Sequence, residues 1–440
     1  MIKKILALSV LTTGLFFQSC SDDVFGENVL TPVSVNTSVK FTGDYAEAKA
    51  VNANVILRNS DTGVEYTATT DANGNVSFPT ILPGRYNATV SLELTPEQFE
   101  NYFGYDSGSD ENINFNGLVE NITIQSSGTN IALQLTSANT IGGLVLKQIY
   151  YGGSSTKEGA SFRDQFVEIY NNSGEVLYAD GLIFAQLFGN TKIGTESYHL
   201  ASGQLDWSKG IGNGKGSAAN TDYVYGKNVY RIPGDGKTYA VQPGESIIIA
   251  ATAINHKINY TDNTGKAVGI INSDLTVDLS NADFEANLTS YTNSQFRYDI
   301  QNENVPDLEI VHWVSGQDMV LGSTGKESFI IFRATEAEIK DFGKVRNPDG
   351  ESSSVYLQIP NSKIIDGVDI TTDLGNGLTP KKLATSIDVG KTYLLTGAYT
   401  SYAVIRKTQK TVNGRIILKD TNNSTEDFVN IKATPKGFAN

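Results

Sequence analysis

Apolar and polar residues alternate with a period of two over several segments, and this limits the fold of the chain more than any other feature. Val35, Thr37, Val39 and Phe41 fall on one side of an extended segment, with Asn36, Ser38 and Lys40 on the other. Val51, Ala53, Val55 and Leu57 repeat the pattern. Tyr86, Ala88, Val90, Leu92 and Leu94 alternate with Asn87, Thr89, Ser91 and Glu93, and Ile131, Leu133 and Leu135 continue it. A strand puts every second side chain on one face, whereas a helix scatters the same residues around its axis. Turn residues separate these segments, Asp71-Ala72-Asn73-Gly74 and Pro83-Gly84 among them, so the region is expected to form an antiparallel sandwich.

Composition sets the outer bounds. At 440 residues, with 39% hydrophobic and 19% charged, the chain has the make-up of a globular protein with two or three cores. Its 34 Lys+Arg face 48 Asp+Glu, a formal net charge of −14. Nucleic acid is not expected as a partner, because phosphate binding needs a clustered excess of cations. A single Cys excludes internal disulfides and thiolate clusters for zinc or iron–sulfur.

That cysteine stands at a telling place. Lys3 and Lys4 precede an apolar run from Ile5 to Phe17, and Gln18-Ser19-Cys20 follows. The run is shorter than the roughly 20 apolar residues a bilayer needs, so it reads as a secretory signal. The sole cysteine at its end resembles the lipobox of bacterial lipoproteins, of the looser kind found in Bacteroidota, although Phe17 and Gln18 depart from the usual Leu-Ala type residues. The resemblance implies that Cys20 is lipidated and residues 1–19 removed. Ser21, Asp22 and Asp23, followed by Glu27, resemble the acidic export tag of such lipoproteins. The tag would send the protein to the outer face of the outer membrane; a plain solvated tether is the alternative reading.

Two further resemblances bear on the fold. Thr70-Asp71-Ala72-Asn73-Gly74-Asn75-Val76-Ser77-Phe78, then Leu82-Pro83-Gly84-Arg85-Tyr86, resembles the carboxypeptidase regulatory-like (transthyretin-like) domain, with one extra residue before Phe78. That family usually acts as a structural or adhesive module. Farther on come Phe166-Val167-Glu168-Ile169-Tyr170-Asn171, Pro243-Gly244-Glu245 before an apolar strand, and Asp420 to Phe428 before Thr434-Pro435. In order, these resemble the lamin-tail domain, an immunoglobulin-like sandwich, here with large insertions around residues 188–230 and 255–400. The whole layout is similar to a family of secreted Bacteroidota proteins classed as a domain of unknown function. The fold class expected is therefore all-β: a small transthyretin-like sandwich, then a larger lamin-tail/immunoglobulin-like β-sandwich with long insertions. The expected divisions are a signal peptide at 1–19, a lipidated tether at 20–34, the first domain at 35–138 and the second at 139–440. Short helices are expected where Thr95, Pro96 and Gln98 form a capping box, where Thr335 and Glu338 form another, and where Ser280 caps a turn running through Phe284.

Sites of chemistry are sparse. The 3 histidines, His199, His256 and His312, lie far apart, with none of the spacings of a zinc protease. Gly210 to Ser217 lacks the spacing of a phosphate loop and reads as a flexible loop. No cofactor is expected. Calcium is the one alternative, since Asp420, Asn422, Ser424 and Glu426 put oxygens at alternate positions, though a hydrogen-bonded turn explains the segment as well. Aromatic residues stand out instead. Trp207 lies in a Gly/Ser-rich stretch, with Tyr223, Tyr225 and Tyr230 following, and such rings on loops suit ligand recognition. The competing reading is that Tyr223 and Tyr225 share a strand face and pack.

The expected function is that of a non-enzymatic cell-surface lipoprotein. Within that class an accessory binding protein for nutrient uptake, working beside a TonB-dependent β-barrel, is favoured by analogy. An adhesive or structural surface module is the alternative, and an extracellular hydrolase a more distant one. Cys20→Ala should release the protein from the outer-membrane fraction; a variant that still sediments with that membrane would contradict lipidation at Cys20.

Overall fold

The structure, a computed structural model, describes residues 31–42, 45–104, 112–138, 143–173, 176–372, 379–412 and 414–439. Cys20, Ser21, Asp22 and Asp23 lie outside the described residues. The architecture is all-β, as the alternation predicts.

The first body is a hydrogen-bonded path of seven strands in the order 65–69, 54–59, 84–94, 113–124, 129–138, 33–41, 75–81. All neighbours are antiparallel except 33–41 against 129–138, which run parallel. The path curls around one core, because Val35, Val39 and Phe41 from one end meet Val55, Tyr86, Val90 and Phe115 from the other. Every member of the Tyr86–Leu94 alternation is buried. Asp71 organises the first turn by accepting from the amides of Asn73 and Asn75. Gly74 follows at φ 78, where an added Cβ would meet the Val39 carbonyl at 2.7 Å. The capping box forms as expected: Gln98 N donates to Thr95 Oγ1 at 3.2 Å and Thr95 N to Gln98 Oε1 at 2.8 Å, starting helix Pro96–Phe103.

The second body pairs two sheets. One runs 284–285, 246–250, 166–171, 144–150, 402–406, 428–432. The other runs 344–346, 355–360, 223–231, 182–187, 328–333, 364–368, with 309–313 added against 223–231. The stretches 188–230 and 255–400, expected as insertions, also carry strands of this second sheet. The sheets face each other through Leu146, Ile149, Val167 and Ile249 on one side and Phe184, Phe329, Ile331 and Val368 on the other. Both have covered outer faces too. Ile248 and Ala250 pack under Val277, Leu279 and Val305, and Ile330 and Phe332 pack with Val224 and Leu357. Strands buried on both faces lose the period of two and become continuous apolar runs, as in Ser246–Ala250 and Ser328–Arg333. The Thr335/Glu338 capping box is present. Ser280 instead donates to Asp278 Oδ1, and Phe284 begins a strand of two residues.

A buried ion cluster ties these parts together. Arg406, 2% exposed, donates through Nη2 to both oxygens of Asp366 at 2.7 and 2.8 Å, and through Nη1 to Asp420 at 3.0 Å and Asp427 at 3.3 Å. Its Nε donates to the Leu146 carbonyl, and Leu146 N donates to Asp366, which pins the irregular edge of strand 144–150. Burial disfavours the guanidinium's charge, but the three carboxylates outweigh it and hold its pKa above the ordinary value. The same segment reaches the first body: Asn114 and Asn116 donate to the carbonyls of Asp420 and Thr421, and Lys391 pairs with Glu120 at 2.9 Å. Arg406→Met would strand carboxylates in the interior, so it should cost about 3–5 kcal/mol in urea unfolding. A loss below about 1 kcal/mol would show that the cluster holds nothing together.

Candidate functional site

The aromatic stretch forms a compact subdomain on the second sheet. Asp206 starts a short 3-10 turn, Trp207–Lys209, by accepting from Ser208 N and Oγ and from Asn220 Nδ2 at 2.8 Å. Burial presses the Asp206 pKa upward, but these donors and Lys209 prevail and hold it at about 2. Asn220 Oδ1 accepts from Trp207 N at 2.7 Å. The indole lies flat on Tyr225, centroids 3.5 Å apart and planes 9° off parallel. Phe188 and Tyr356, themselves stacked at 4.0 Å, meet its edge. Tyr225 OH donates to the Ala219 carbonyl and accepts from Gln358.

These positions correct the expectation of exposed rings. Trp207 is 4% exposed, Tyr225 3% and Tyr230 1%. Tyr230 is away from the others, between the two sheets, stacked on Phe184 at 6.1 Å and edge-on to Trp313. Leu187 pairs with Gly226 and Gln186 with Asn228, so Lys227 is an extra residue that puts Tyr230 on the same face as Tyr225; Tyr230 is set apart by its place farther along the strand, opposite Phe184. Only Tyr223, half-buried with the Lys215 ammonium 5.6 Å from its centroid, keeps an open surface.

Beside this cluster lies a cavity of about 130 Å³, walled by Tyr223, Trp207, Tyr225, Gln204, Asn220 and Lys382 among others. Trp207, Tyr223 and Tyr225 are thus brought together, and Tyr230 is not. Gln204 fixes one wall: its amide donates to the Lys381 carbonyl at 3.0 Å and its oxygen accepts from Asn190 N and Leu205 N. Lys381 and Lys382 come from a chain segment far from the rings, so no sequence pattern links them to this place.

The two lysines have different fates. Lys381 Nζ reaches Asp369 at 3.2 Å and donates to the Gly390 carbonyl at 2.6 Å. Asp369 is saturated further by Ser328 Oγ and by the amides of Lys382 and Leu383. Lys382 Nζ is enclosed and has no hydrogen-bond partner among the described residues. Burial pushes its pKa down to about 8 against the pull of Asp369.

Other sites serve structure. Asp420 is held by Arg406, Glu426 pairs with Lys419 at 3.6 Å, and Asn422 takes a left-handed conformation at φ 52. Ser424 begins the helical turn Ser424–Asp427, its amide donating to Asp388. The segment forms a turn around Asp427, which accepts from Thr421 N and Oγ1, and among the described residues no group of three or more His, Cys, Asp or Glu could hold a metal ion. His256 and His312 each donate through Nε2 to a backbone carbonyl, of Thr252 and Val355, and burial lowers both pKa values, that of His256 to about 4. Glu285 and Asp307 share the Gln301 amide at 3.2 and 3.1 Å, and burial raises Glu285 to about 7. Glu285 is nevertheless 1% exposed, whereas Asp307 lies at the surface. A second cavity, about 110 Å³, lies in the seam between the bodies, where Ile56 and Leu118 face Val389 and Tyr393.

With this geometry in view, comparisons with known proteins support the layout. Residues 42–116 match the model of the carboxypeptidase regulatory-like domain. Residues 242–436 match a model described as protein of unknown function (DUF4876). Among solved structures, a DUF4876 family protein from Bacteroides thetaiotaomicron superimposes with a TM-score of 0.52 at 24% identity, covering 90% of this chain and 95% of that one. The likeness extends to the fold. DUF3823 family proteins from Parabacteroides merdae and Bacteroides ovatus align at 10% and 12% identity over 36% and 50% of this chain (67% and 98% of theirs), both at a TM-score of 0.15, too low to indicate a common fold. No curated protein matches the chain. No helix among the described residues is long and apolar enough to cross a membrane.

Because Trp207 is a packed residue, Trp207→Ala should destabilise by about 3–5 kcal/mol, as for other buried large-to-small changes. Thermal unfolding checks this. An unchanged Tm would mean that the ring is free at the surface.

Proposed function

We propose that the chain is a non-enzymatic lipoprotein of the outer cell surface that binds a small ligand, serving as an accessory binding protein in nutrient uptake beside a TonB-dependent β-barrel. The observation that carries this reading is the cavity of about 130 Å³ lined by Tyr223, Trp207, Tyr225, Gln204 and Asn220. Aromatic surface beside fixed polar groups can hold and orient a small molecule. The walls are pre-ordered, since Trp207, Tyr225 and Gln204 are each locked by stacking or hydrogen bonds, and little ordering entropy is left for the ligand to oppose. A lipid on Cys20 would hold the site near the membrane and raise its effective concentration at a neighbouring barrel. The lamin-tail likeness of the second sandwich and the export role of Ser21, Asp22 and Asp23 belong to the same reading.

A second reading, an adhesive or structural surface module, is favoured by the burial of Trp207, Tyr225 and Tyr230. Rings spent on packing leave the loop face mostly polar, and the carboxypeptidase regulatory-like match fits a structural stalk. Gentle detergent extraction of the native lipoprotein separates the two. Uptake requires a TonB-dependent barrel to co-purify in stoichiometric amount. A chain that emerges alone overturns the uptake reading and favours adhesion.

A further inference from the structure

The outer face of the first body carries an apolar row where its neighbour is polar. Strands 54–59, 84–94 and 113–124 lie side by side, and their outward positions pair across the sheet in rows. One row is Asn54, Ser91 and Asn116, as expected where the inward positions Val55, Leu57, Ala88 and Val90 already fill the core. Two residues along, the row is Ile56, Thr89 and Leu118. Across the seam the second body presents Val389 and Tyr393 to this row, and the two sides leave the cavity of about 110 Å³ between them. Among the described residues, Ile56, Leu118, Val389 and Tyr393 stand outside the apolar clusters within either body. Ile56, Leu118 and Tyr393 are half-buried, so they keep accessible surface at the cavity.

Apolar surface left open in a concave place favours a molecule that gains by leaving water, and the join between two bodies is a common position for such a site. Size limits the occupant: an apolar cavity of about 150 Å³ holds a benzene ring, so the space here suits a single ring. The rim limits its charge. Arg58 pairs with Glu65 at 3.6 Å and Lys391 with Glu120 at 2.9 Å, so each cation lining the cavity already has a carboxylate. We propose that the seam cavity receives a small neutral aromatic molecule of one ring, held between the Ile56–Thr89–Leu118 row and Tyr393. The site is separate from the Tyr223 cavity and does not depend on the uptake reading.

The test is ligand-observed NMR titration of the full chain with p-cresol, benzoate and glucose. p-Cresol should bind saturably, with a Kd of about 1 mM or tighter. It should bind roughly tenfold or more tightly than benzoate, whose carboxylate would lose water without gaining a free cation. Thr89→Phe fills the centre of the row and should abolish p-cresol binding. Leu118→Trp, on the neighbouring strand, blocks the same space and should do likewise. Tyr223→Ala, in the other cavity, should leave binding unchanged. Absence of p-cresol binding overturns the proposal. Binding that survives both blocking variants, or that is lost in Tyr223→Ala, places the ring elsewhere and overturns it too. Benzoate or glucose bound as tightly as p-cresol overturns the neutral aromatic class.

Discussion

Arg406 is the constraint on which the second body depends. Its guanidinium joins Asp366 on one sheet to Asp420 and Asp427 beyond the end of the other, and its Nε holds the strand between them through Leu146. Taking so many charges out of water is unfavourable unless each is met in good geometry. Here each is met: Asp427 also accepts from Thr421 and Asn423, and Asp366 from Leu146. The loop shaped by these bonds turns its carbonyls toward Asn114 and Asn116 of the first body. One buried cation thus sets the sheet pairing, the turn at residues 420–427 and the seam between the bodies.

The site has the opposite character. Around Lys381 the charge is met, with Asp369 and the Gly390 carbonyl both in reach of its ammonium. Lys382 has its backbone amide bonded to Asp369 and its ammonium bonded to nothing among the described residues. The ring cluster beside it is fixed by stacking, which makes the cavity walls rigid.

Much of the fold was legible because strands with one wet face declare themselves. The Tyr86–Leu94 alternation, the Asp71–Gly74 turn and the two capping boxes each carry a local reason for their conformation, and each is found. The strands of the second body are less plain, since Ser246–Ala250 and Ser328–Arg333 are covered on both faces and lose their period. The site was half legible. Trp207, Tyr223 and Tyr225 do assemble, but Tyr230 lies farther along the strand, turned by the bulge at Lys227 into the core between the sheets, and bulges leave little trace in sequence. Lys382 was missed because nothing in the pair Lys381-Lys382 says which one finds a carboxylate. The segment around Asp420 left two readings open, since oxygens spaced for a cation can also be spaced for a turn; a turn forms, with Arg406 supplying positive charge to Asp420 and Asp427.

Backbone hydrogen exchange tests the place of Arg406 most directly. In Arg406→Met the amides of Leu146, Thr421 and Asn423, which donate to Asp366 and Asp427, should lose protection together. Unchanged protection at all three would contradict a cluster that sets the strand and the turn.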